Sequence, residues 1–246
     1  MNASTLPIAT AGVLAATAGL AAYGIFSPAS QLFGPVLLAP AHPGQLALTY
    51  DDGPNPAATP QLLDLLAAHG VRATFFLIGR HALAHPALVR RIAAGGHALG
   101  NHTMSHPRLP LCSHARIAAE LRSCSHAVED ITGTPLRLFR PPHGFRTPYV
   151  LRTARDLGLT TTNWTTIAND WSLTDPEAIA HRIEVGISNN THQGRASNIA
   201  MHDGSQQTPA PSRLPTVAAT ALLLSRLGNT ACVTLEDWLS PRATNT

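Results

Sequence analysis

The chain contains no lysine, and all 17 of its basic residues are arginine. Only 13% of the 246 residues are charged, and the formal net charge is +3. The arginines are scattered, with only Arg90 and Arg91 adjacent. Proteins that bind nucleic acids usually carry a basic arm or a dense basic patch. Because the sequence has neither, we do not expect nucleic acid to be a partner.

Cysteine is also scarce. The three cysteines, Cys112, Cys124 and Cys232, are an odd number and lack the spacing of a metal knuckle. This pattern indicates neither a zinc-finger-type site nor a disulfide framework. A bridge between Cys112 and Cys124 is not expected, because the intervening helix would hold them too far apart for disulfide geometry.

Charge is absent from the N-terminal stretch Leu6–Phe26, which is just long enough to span a bilayer. No arginine occurs before Arg72, so the basic region of a cleaved signal peptide is missing. We therefore predict a membrane anchor over residues 1–26 and an extracytoplasmic location. The alternatives are a cleaved signal, because small-x-small sites follow at residues 27–29 and 39–41, and a buried soluble helix.

The rest of the chain divides into a linker over residues 27–44, a single large domain over residues 45–240 and a tail over residues 241–246. Within the domain, strand-length apolar runs alternate with helical patterns. This alternation is typical of a parallel sheet with right-handed crossovers. We predict an α/β fold, a distorted (β/α)7-type barrel preceded by the N-terminal apolar segment. The predicted strands are Gln45–Tyr50, Arg72–Ile78, His97–Asn101, Leu136–Arg140, Thr160–Trp164, Asn198–Met201 and Ala231–Leu235.

Ionisable residues follow five of these seven strands. In α/β barrels, the chemistry takes place at the C-terminal ends of the strands, which lie on one rim. The sequence therefore predicts one functional site on that rim. The segments concerned are Asp51–Asp52, His102–His106, Arg140–His143, Asn169–Trp171 and His202–Asp203.

Asp51 and Asp52 are adjacent and are followed by Gly53 and Pro54. A polar turn after a strand would explain this sequence. Adjacent carboxylates are also typical of a cation site, or of a site where one acid must hold a proton.

His102 and His106 are four residues apart, so both imidazoles can lie on one side of a turn. Together with a carboxylate they would form a site with open coordination positions, as in catalytic metal centres. The same ligand set suits non-heme iron oxygenases. The ligands alone therefore do not identify the reaction.

Five ordered segments carry a family resemblance: "TYDDGP", "FFLIGRHALAHPALVRRIAAGGHALGNHTMSHPRL", "TGTPLRLFRPPHG", "NDW" and "AMHDG". With these motifs the chain resembles the polysaccharide deacetylases, the NodB-homology group or carbohydrate esterase family 4. The resemblance implies a distorted barrel, a divalent metal and removal of acetyl groups from polymeric sugars such as peptidoglycan or chitin. Zinc is the expected metal, with cobalt or another divalent ion as alternatives.

The resemblance also implies residue roles. Asp52, His102 and His106 would bind the metal. Asp51 would be the catalytic base, and Arg140 would orient it.

On the other side of the site, His202 would be the general acid, and Asp170 would tune it. A backbone N–H near His143 would stabilise the oxyanion, and Trp171 would form part of the acetyl pocket. The chain departs from the family at Tyr50, at His143 and at Ala200, where phenylalanine, an aromatic residue and leucine are usual.

We therefore predict a metal-dependent hydrolase that removes acetyl groups, most simply N-acetyl groups, from a polysaccharide. An inactive surface glycan-binding protein on the same fold, and a different metal-dependent hydrolase of C–N bonds, remain as alternatives. The sequence leaves the polymer and the oligomeric state open.

Overall fold

The structure is a computed structural model that describes residues 5–207, 212–228 and 230–239. The predicted tail, residues 241–246, lies outside the described residues. Among the described residues, the strands are β1 Gln45–Gly53, β2 Thr74–Leu77, β3 Ala98–Asn101, β4 Leu138–Phe139, β5 Thr160–Thr161, β6 Thr166–Ile167, β7 Ser197–His202 and β8 Ala231–Cys232. They form one sheet in the order β5-β4-β3-β2-β1-β7-β6, with β8 paired to β1. Every strand pair is parallel, which confirms the predicted parallel α/β sheet.

The helices of the described chain pack around this sheet. Two of them begin with a typical helix-start sequence, in which a capping side chain precedes a proline in the first turn. The capping residues are Thr147, before Pro148, and Asp175, before Pro176. The helices are α1 Thr5–Phe26, α2 Thr59–Ala68, α3 Gly79–Ala84, α4 Pro86–Ala94, α5 His114–Thr132, α6 Pro148–Asp156, α7 Pro176–His192 and α8 Leu214–Arg226.

The central strand β1 shows how the sequence positions the site. Successive side chains of a strand point to opposite faces. On one face, Leu46, Leu48 and Tyr50 are buried in the main hydrophobic core between sheet and helices. On the other face, Thr49 and Asp51 reach towards the interior of the barrel. The alternation therefore brings an acidic side chain into the barrel mouth.

The segment predicted as a linker, residues 27–44, contacts the sheet closely. Leu37 forms a parallel bridge with Thr162, just after β5. The side-chain amide of Asn198 on β7 donates to the carbonyl of Leu38, and Ala196 N–H donates to Pro40. This stretch therefore lies across the opening between the β5 and β6 edges of the sheet.

The preceding residues are held by a buried arginine. The guanidinium of Arg146 donates to the carbonyls of Ser27 at 2.8 Å, Ser30 at 2.6 Å and Gly144 at 3.0 Å. The ring of Phe26, at the end of α1, packs edge-on against Phe145. The end of α1 therefore contacts the same loop that carries the predicted oxyanion residue.

Among the described residues, a search for helices long and apolar enough to cross a bilayer finds none. The prediction of a transmembrane helix over Leu6–Phe26 therefore has no support from the structure. The three cysteines are free, as expected.

The start of α2 differs from the usual pattern, in which a threonine before a proline caps the helix. Here Thr59 precedes Pro60, but the residue before the helix is Ala58, which forms no side-chain cap. The hydroxyl of Thr59 instead donates to Asp203 at 2.5 Å and accepts from the N–H of Asn55. It is used for a contact with the end of β7 and not for the helix.

Candidate active site and metal centre

The site is built where the C-terminal ends of β1 and β7 lie side by side. Asp51 and His202 are register partners on the two strands. Two glycines allow the following turns to interlock, because a Cβ on Gly53 would collide with the carboxylate of Asp203, and one on Gly204 would collide with the carbonyl of Asp52. Close backbone approach therefore fixes the two strand ends against each other.

Asp52, His102 and His106 form a compact cluster, and all three are buried. Their potential ligand atoms lie within 4.8 Å of one another. The Oδ1 atom of Asp52 is 3.4 Å from Nε2 of His102 and 3.2 Å from Nε2 of His106. This arrangement brings together the three residues that the sequence predicted as metal ligands.

Hydrogen bonds on the far side of each imidazole indicate what the cluster can hold. Nδ1 of His102 lies 2.7 Å from the carbonyl of Arg140, and Nδ1 of His106 lies 2.8 Å from Oε1 of Gln206. Each Nδ1 must therefore carry the proton, which leaves both Nε2 lone pairs facing Asp52. The Oδ1 atom of Asp52 is buried and has no hydrogen-bond partner. Three electron-pair donors that converge in this way suit a divalent cation.

The protonation states agree with this interpretation. Burial and the neighbouring His102 lower the pKa of His106 to about 4, so its imidazole is neutral near pH 7. Burial alone would raise the pKa of Asp52, but the adjacent imidazoles outweigh it and hold that pKa below its ordinary value. A neutral imidazole and an ionised carboxylate are the forms that bind metal.

Arg140 lies beneath the carboxylate of Asp51. Its Nη1 donates to Oδ1 of Asp51 at 2.8 Å and to the hydroxyl of Thr49 at 2.6 Å, and the guanidinium is fully buried. The guanidinium also lies over the ring of Phe76, 4.2 Å from its centroid. Asp51 is thus held by a charge-assisted hydrogen bond, away from the imidazoles that face Asp52.

His202 and Asp170 form the opposite side of the site. Nδ1 of His202 donates to Oδ1 of Asp170 at 2.8 Å, while Oδ2 accepts from the N–H of His202 and from the hydroxyl of Thr216, both at 2.7 Å. Burial by itself would lower the pKa of His202, but the ion pair with Asp170 outweighs burial and raises that pKa to about 9. An imidazolium is therefore available near neutral pH as a proton donor.

A cleft of about 720 Å³ opens over these groups. His143 lies at its edge in a left-handed conformation with φ of 58°, and its ring packs against that of His106. Trp171 is 48% exposed and packs edge-on against His202. Eight of the nine predicted site residues line the cleft, and Arg140 lies below it. The eight are Asp51, Asp52, His102, His106, His143, Asp170, Trp171 and His202.

Ala200 has a smaller side chain than the leucine that is usual at this position, and other residues supply the apolar surface there. Met201 belongs to the main core, where its sulfur meets the hydroxyl of Thr220, so it does not enter the cleft. Ile167 of β6 is the register partner of Ala200, and it lines the cleft together with Trp164. These side chains provide the apolar wall beside the site.

The sequence assigned no role to three residues of the site. One is His81, whose Nδ1 lies 2.9 Å from the carbonyl of Asp52. Gln206 binds His106, as described above. Asp203 lies in a predicted site segment but was given no role of its own, and burial raises its pKa to about 7. The segment "MHDGSQQ" follows a predicted strand end, and this was the available signal for Gln206 and Asp203.

Comparisons with known proteins identify the family. The family model described as polysaccharide deacetylase matches residues 39–162. A chitooligosaccharide deacetylase of Sinorhizobium fredii is 37% identical over 73% of this chain and 84% of its own length. A peptidoglycan-N-acetylglucosamine deacetylase of Bacillus cereus is 35% identical over 74% of this chain and 81% of its own length.

A solved structure shows the same architecture. A peptidoglycan N-acetylglucosamine deacetylase in complex with 4-naphthalen-1-yl-N-oxidanyl-benzamide superposes with a TM-score of 0.73 and 28% identity, over 82% of this chain and 91% of that one. The predicted (β/α)7-type barrel is thereby confirmed. The identity and coverage of these matches, together with the family model, show that this chain belongs to the polysaccharide deacetylase family and is a hydrolase of that kind.

Proposed function

We propose that the protein is a metal-dependent deacetylase that hydrolyses N-acetyl groups on a glucosamine-containing polymer, either peptidoglycan or chitin-like oligomers. The named activities of the relatives support this substrate class. The observation that carries the proposal is the division between two adjacent carboxylates. Asp52 faces the imidazoles of His102 and His106, whereas Asp51 is held by Arg140.

The proposed ligands are Asp52, His102 and His106, and the proposed metal is zinc. The bound ion would supply Lewis-acid polarisation of the acetyl carbonyl and acidification of a water molecule. The chain's own residues have separate tasks. Asp51 takes a proton from the attacking water, and Arg140 orients this carboxylate by a hydrogen bond.

The remaining steps concern the oxyanion and the leaving group. The oxyanion that forms as water adds to the carbonyl lies near the backbone N–H of His143, which can donate to it. The C–N bond then breaks, and the imidazolium of His202 gives its proton to the departing amine. The products are acetate and a free amino sugar. Trp171 packs edge-on beside His202 at this face of the site.

Acetate release is the direct test. The protein would be treated with a chelator, reloaded with zinc or cobalt, and assayed on N-acetylated chitin oligomers, peptidoglycan and acetylxylan. We expect no release without metal, and release from the N-acetylated polymers after reloading. Release by the metal-free protein would refute the proposed mechanism, and binding without release from any substrate would favour the inactive glycan-binding alternative.

Two variants separate the roles of the carboxylates. Asp51→Asn should retain its metal and lose roughly 10²–10⁴ in rate, which is the usual loss when a general base is removed. Asp52→Asn should bind metal weakly and recover part of its activity at high metal concentration. Metal content and turnover would be measured together. A metal-free Asp51→Asn beside a loaded Asp52→Asn would reverse the assignment.

We also propose that the protein acts outside the cytoplasm, carried there by residues 1–26 as an anchor or a cleaved signal. The uncharged composition of this segment and the polymers named for the relatives support the proposal. Cell fractionation with N-terminal sequencing would test it. Full-length protein in the cytosolic fraction would refute it.

A further inference from the structure

Two of the three proposed metal ligands are supported from outside by one arginine. We propose that Arg80 is a positioning residue that fixes Asp52 and His106 relative to each other, through His81 on one side and Gln206 on the other. This inference rests on the proposed metal site and names residues that have no role in the reaction itself.

The first connection leads to Asp52. This residue lies at an irregularity in the pairing of β1 with β2, between Asp51 and Gly53, and has a φ of 70°. The ladder therefore does not fix its orientation, and its carbonyl is bound by the ring of His81 at 2.9 Å. The Nε of Arg80 donates to Nε2 of His81 at 3.3 Å. Because Nε2 accepts, Nδ1 must carry the proton that is donated to Asp52.

The second connection leads to His106. The Nδ1 atom of this imidazole donates to Oε1 of Gln206 at 2.8 Å, which directs Nε2 towards Asp52. Gln206 lies on an exposed loop after β7, and a loop side chain needs support to hold a ring in place. The Nη2 of Arg80 donates to the backbone carbonyl of Gln206 at 2.6 Å and provides that support.

A third contact joins Arg80 to the loop that carries His102 and His106. The backbone N–H of Arg80 donates to the carbonyl of Met104 at 3.1 Å, and that of Gly79 donates to Thr103 at 3.0 Å. Arg80 thus directly contacts two loops, the one that carries His102 and His106 and the one after β7. It contacts the end of β1 through His81. A positive charge beside a cation site gains nothing electrostatically, so hydrogen bonding is the physical reason for an arginine here. Its planar fork binds two partners in fixed directions, which a lysine cannot reproduce.

Zinc affinity of the full-length protein is the quantity to measure, by competition with a chromophoric chelator. Loss of an outer hydrogen-bond partner of a metal ligand typically weakens binding by about 10–100-fold. We expect a loss in this range for Arg80→Ala, and a smaller loss for Gln206→Ala. Arg80→Lys should recover only part of the affinity. The matched control is Arg90→Ala, since Arg90 is exposed on α4 and should leave zinc binding unchanged.

Two further readouts distinguish positioning from general stability. The melting temperature of metal-free Arg80→Ala should match that of metal-free wild type to within a few degrees, and the visible spectrum of its cobalt form should change. The double variant Arg80→Ala/Gln206→Ala should lose less affinity than the product of the single losses, because both changes act on His106.

The inference is overturned if Arg80→Ala binds zinc within twofold of wild type, or if Arg90→Ala loses as much affinity. Should Arg80→Ala fail to fold, the exposed Gln206→Ala decides, and unchanged zinc affinity in that variant overturns the inference. If the wild-type protein binds no divalent ion, the proposed function fails as well. Tight binding by wild type and Arg80→Ala alike refutes only the positioning role.

Discussion

The pair formed by His202 and Asp170 makes a quantitative prediction. The pKa of His202 is raised from 6.5 to about 9, although the side chain is only 15% exposed. This difference corresponds to about 3 kcal/mol in favour of the imidazolium. Asp170→Asn removes the negative charge and leaves the burial, so the pKa of His202 in the metal-free protein should fall to 6.5 or below.

The sign of the effect on stability follows from linkage. A histidine whose pKa is raised by folding stabilises the folded state fully below its unfolded value of 6.5, and this contribution disappears as the pH rises through about 9. The difference in unfolding free energy between wild type and Asp170→Asn should therefore be largest below pH 6.5 and should shrink above it. In the metal-loaded enzyme, the alkaline limb of the activity profile should move to lower pH in the variant.

Nuclear magnetic resonance of the imidazole nitrogens in metal-free protein measures the pKa directly. Thr216→Val is the matched control, because it removes one hydrogen bond to Asp170 and keeps the charge. His202 should still titrate well above 6.5 in this control. If His202 in Asp170→Asn also titrated near 9, the ion pair would not be the cause, and the charges of Asp51 and Asp52 would have to explain the shift.

Three further predictions concern stability. Gly204→Ala should destabilise the fold by about 1–3 kcal/mol in chemical denaturation, because the added Cβ would collide with the carbonyl of Asp52. The control Gly19→Ala, in open space on α1, should not destabilise it, and equal effects of the two substitutions would contradict this packing argument. Removal of residues 1–43 should lower the melting temperature more than removal of residues 1–26, because the buried guanidinium of Arg146 then loses the carbonyls of Ser27 and Ser30. We expect this loss to lower the free energy of unfolding by about 1–3 kcal/mol, and equal melting temperatures would show that residues 27–43 do not stabilise the fold. Zinc at about 100 times its dissociation constant should raise the free energy of unfolding by about 2.7 kcal/mol, and an unchanged thermal transition would refute specific binding to the folded state.

The sequence predicted the fold well because alternation is a local signal. Each of the seven predicted strands from residue 45 onward overlaps a strand of the parallel sheet. The two-residue strand β6 was missed, since a strand of this length has no periodicity to detect. The predicted strands for β4, β5 and β8 were too long for the same reason.

The residues of the candidate site were found because parallel strands bring their carboxyl ends to a single rim. Asp51 and His202 are far apart in sequence and adjacent in the sheet. The supporting residues could not be found in this way. His81 lies on α3 and reaches the end of β1 only through a tertiary contact, and Gln206 lies on a loop that is held by Arg80. Thr59 shows the same limit, because its hydroxyl binds a carboxylate 144 positions away.

The left-handed residues of this structure have an evolutionary consequence. Among the described residues, the non-glycine positions with positive φ comprise Asp52 at the end of β1 and five residues outside the strands, and each such conformation typically costs roughly 1–3 kcal/mol. That strain is tolerated at Asp52, His106 and His143 because their side chains line the cleft of the candidate site. A descendant released from selection for catalysis would gain stability by exchanging them for glycine, so loss of activity on this fold should be accompanied by greater robustness. The positions are Asp52, Thr103, His106, His143, Asn169 and Arg213.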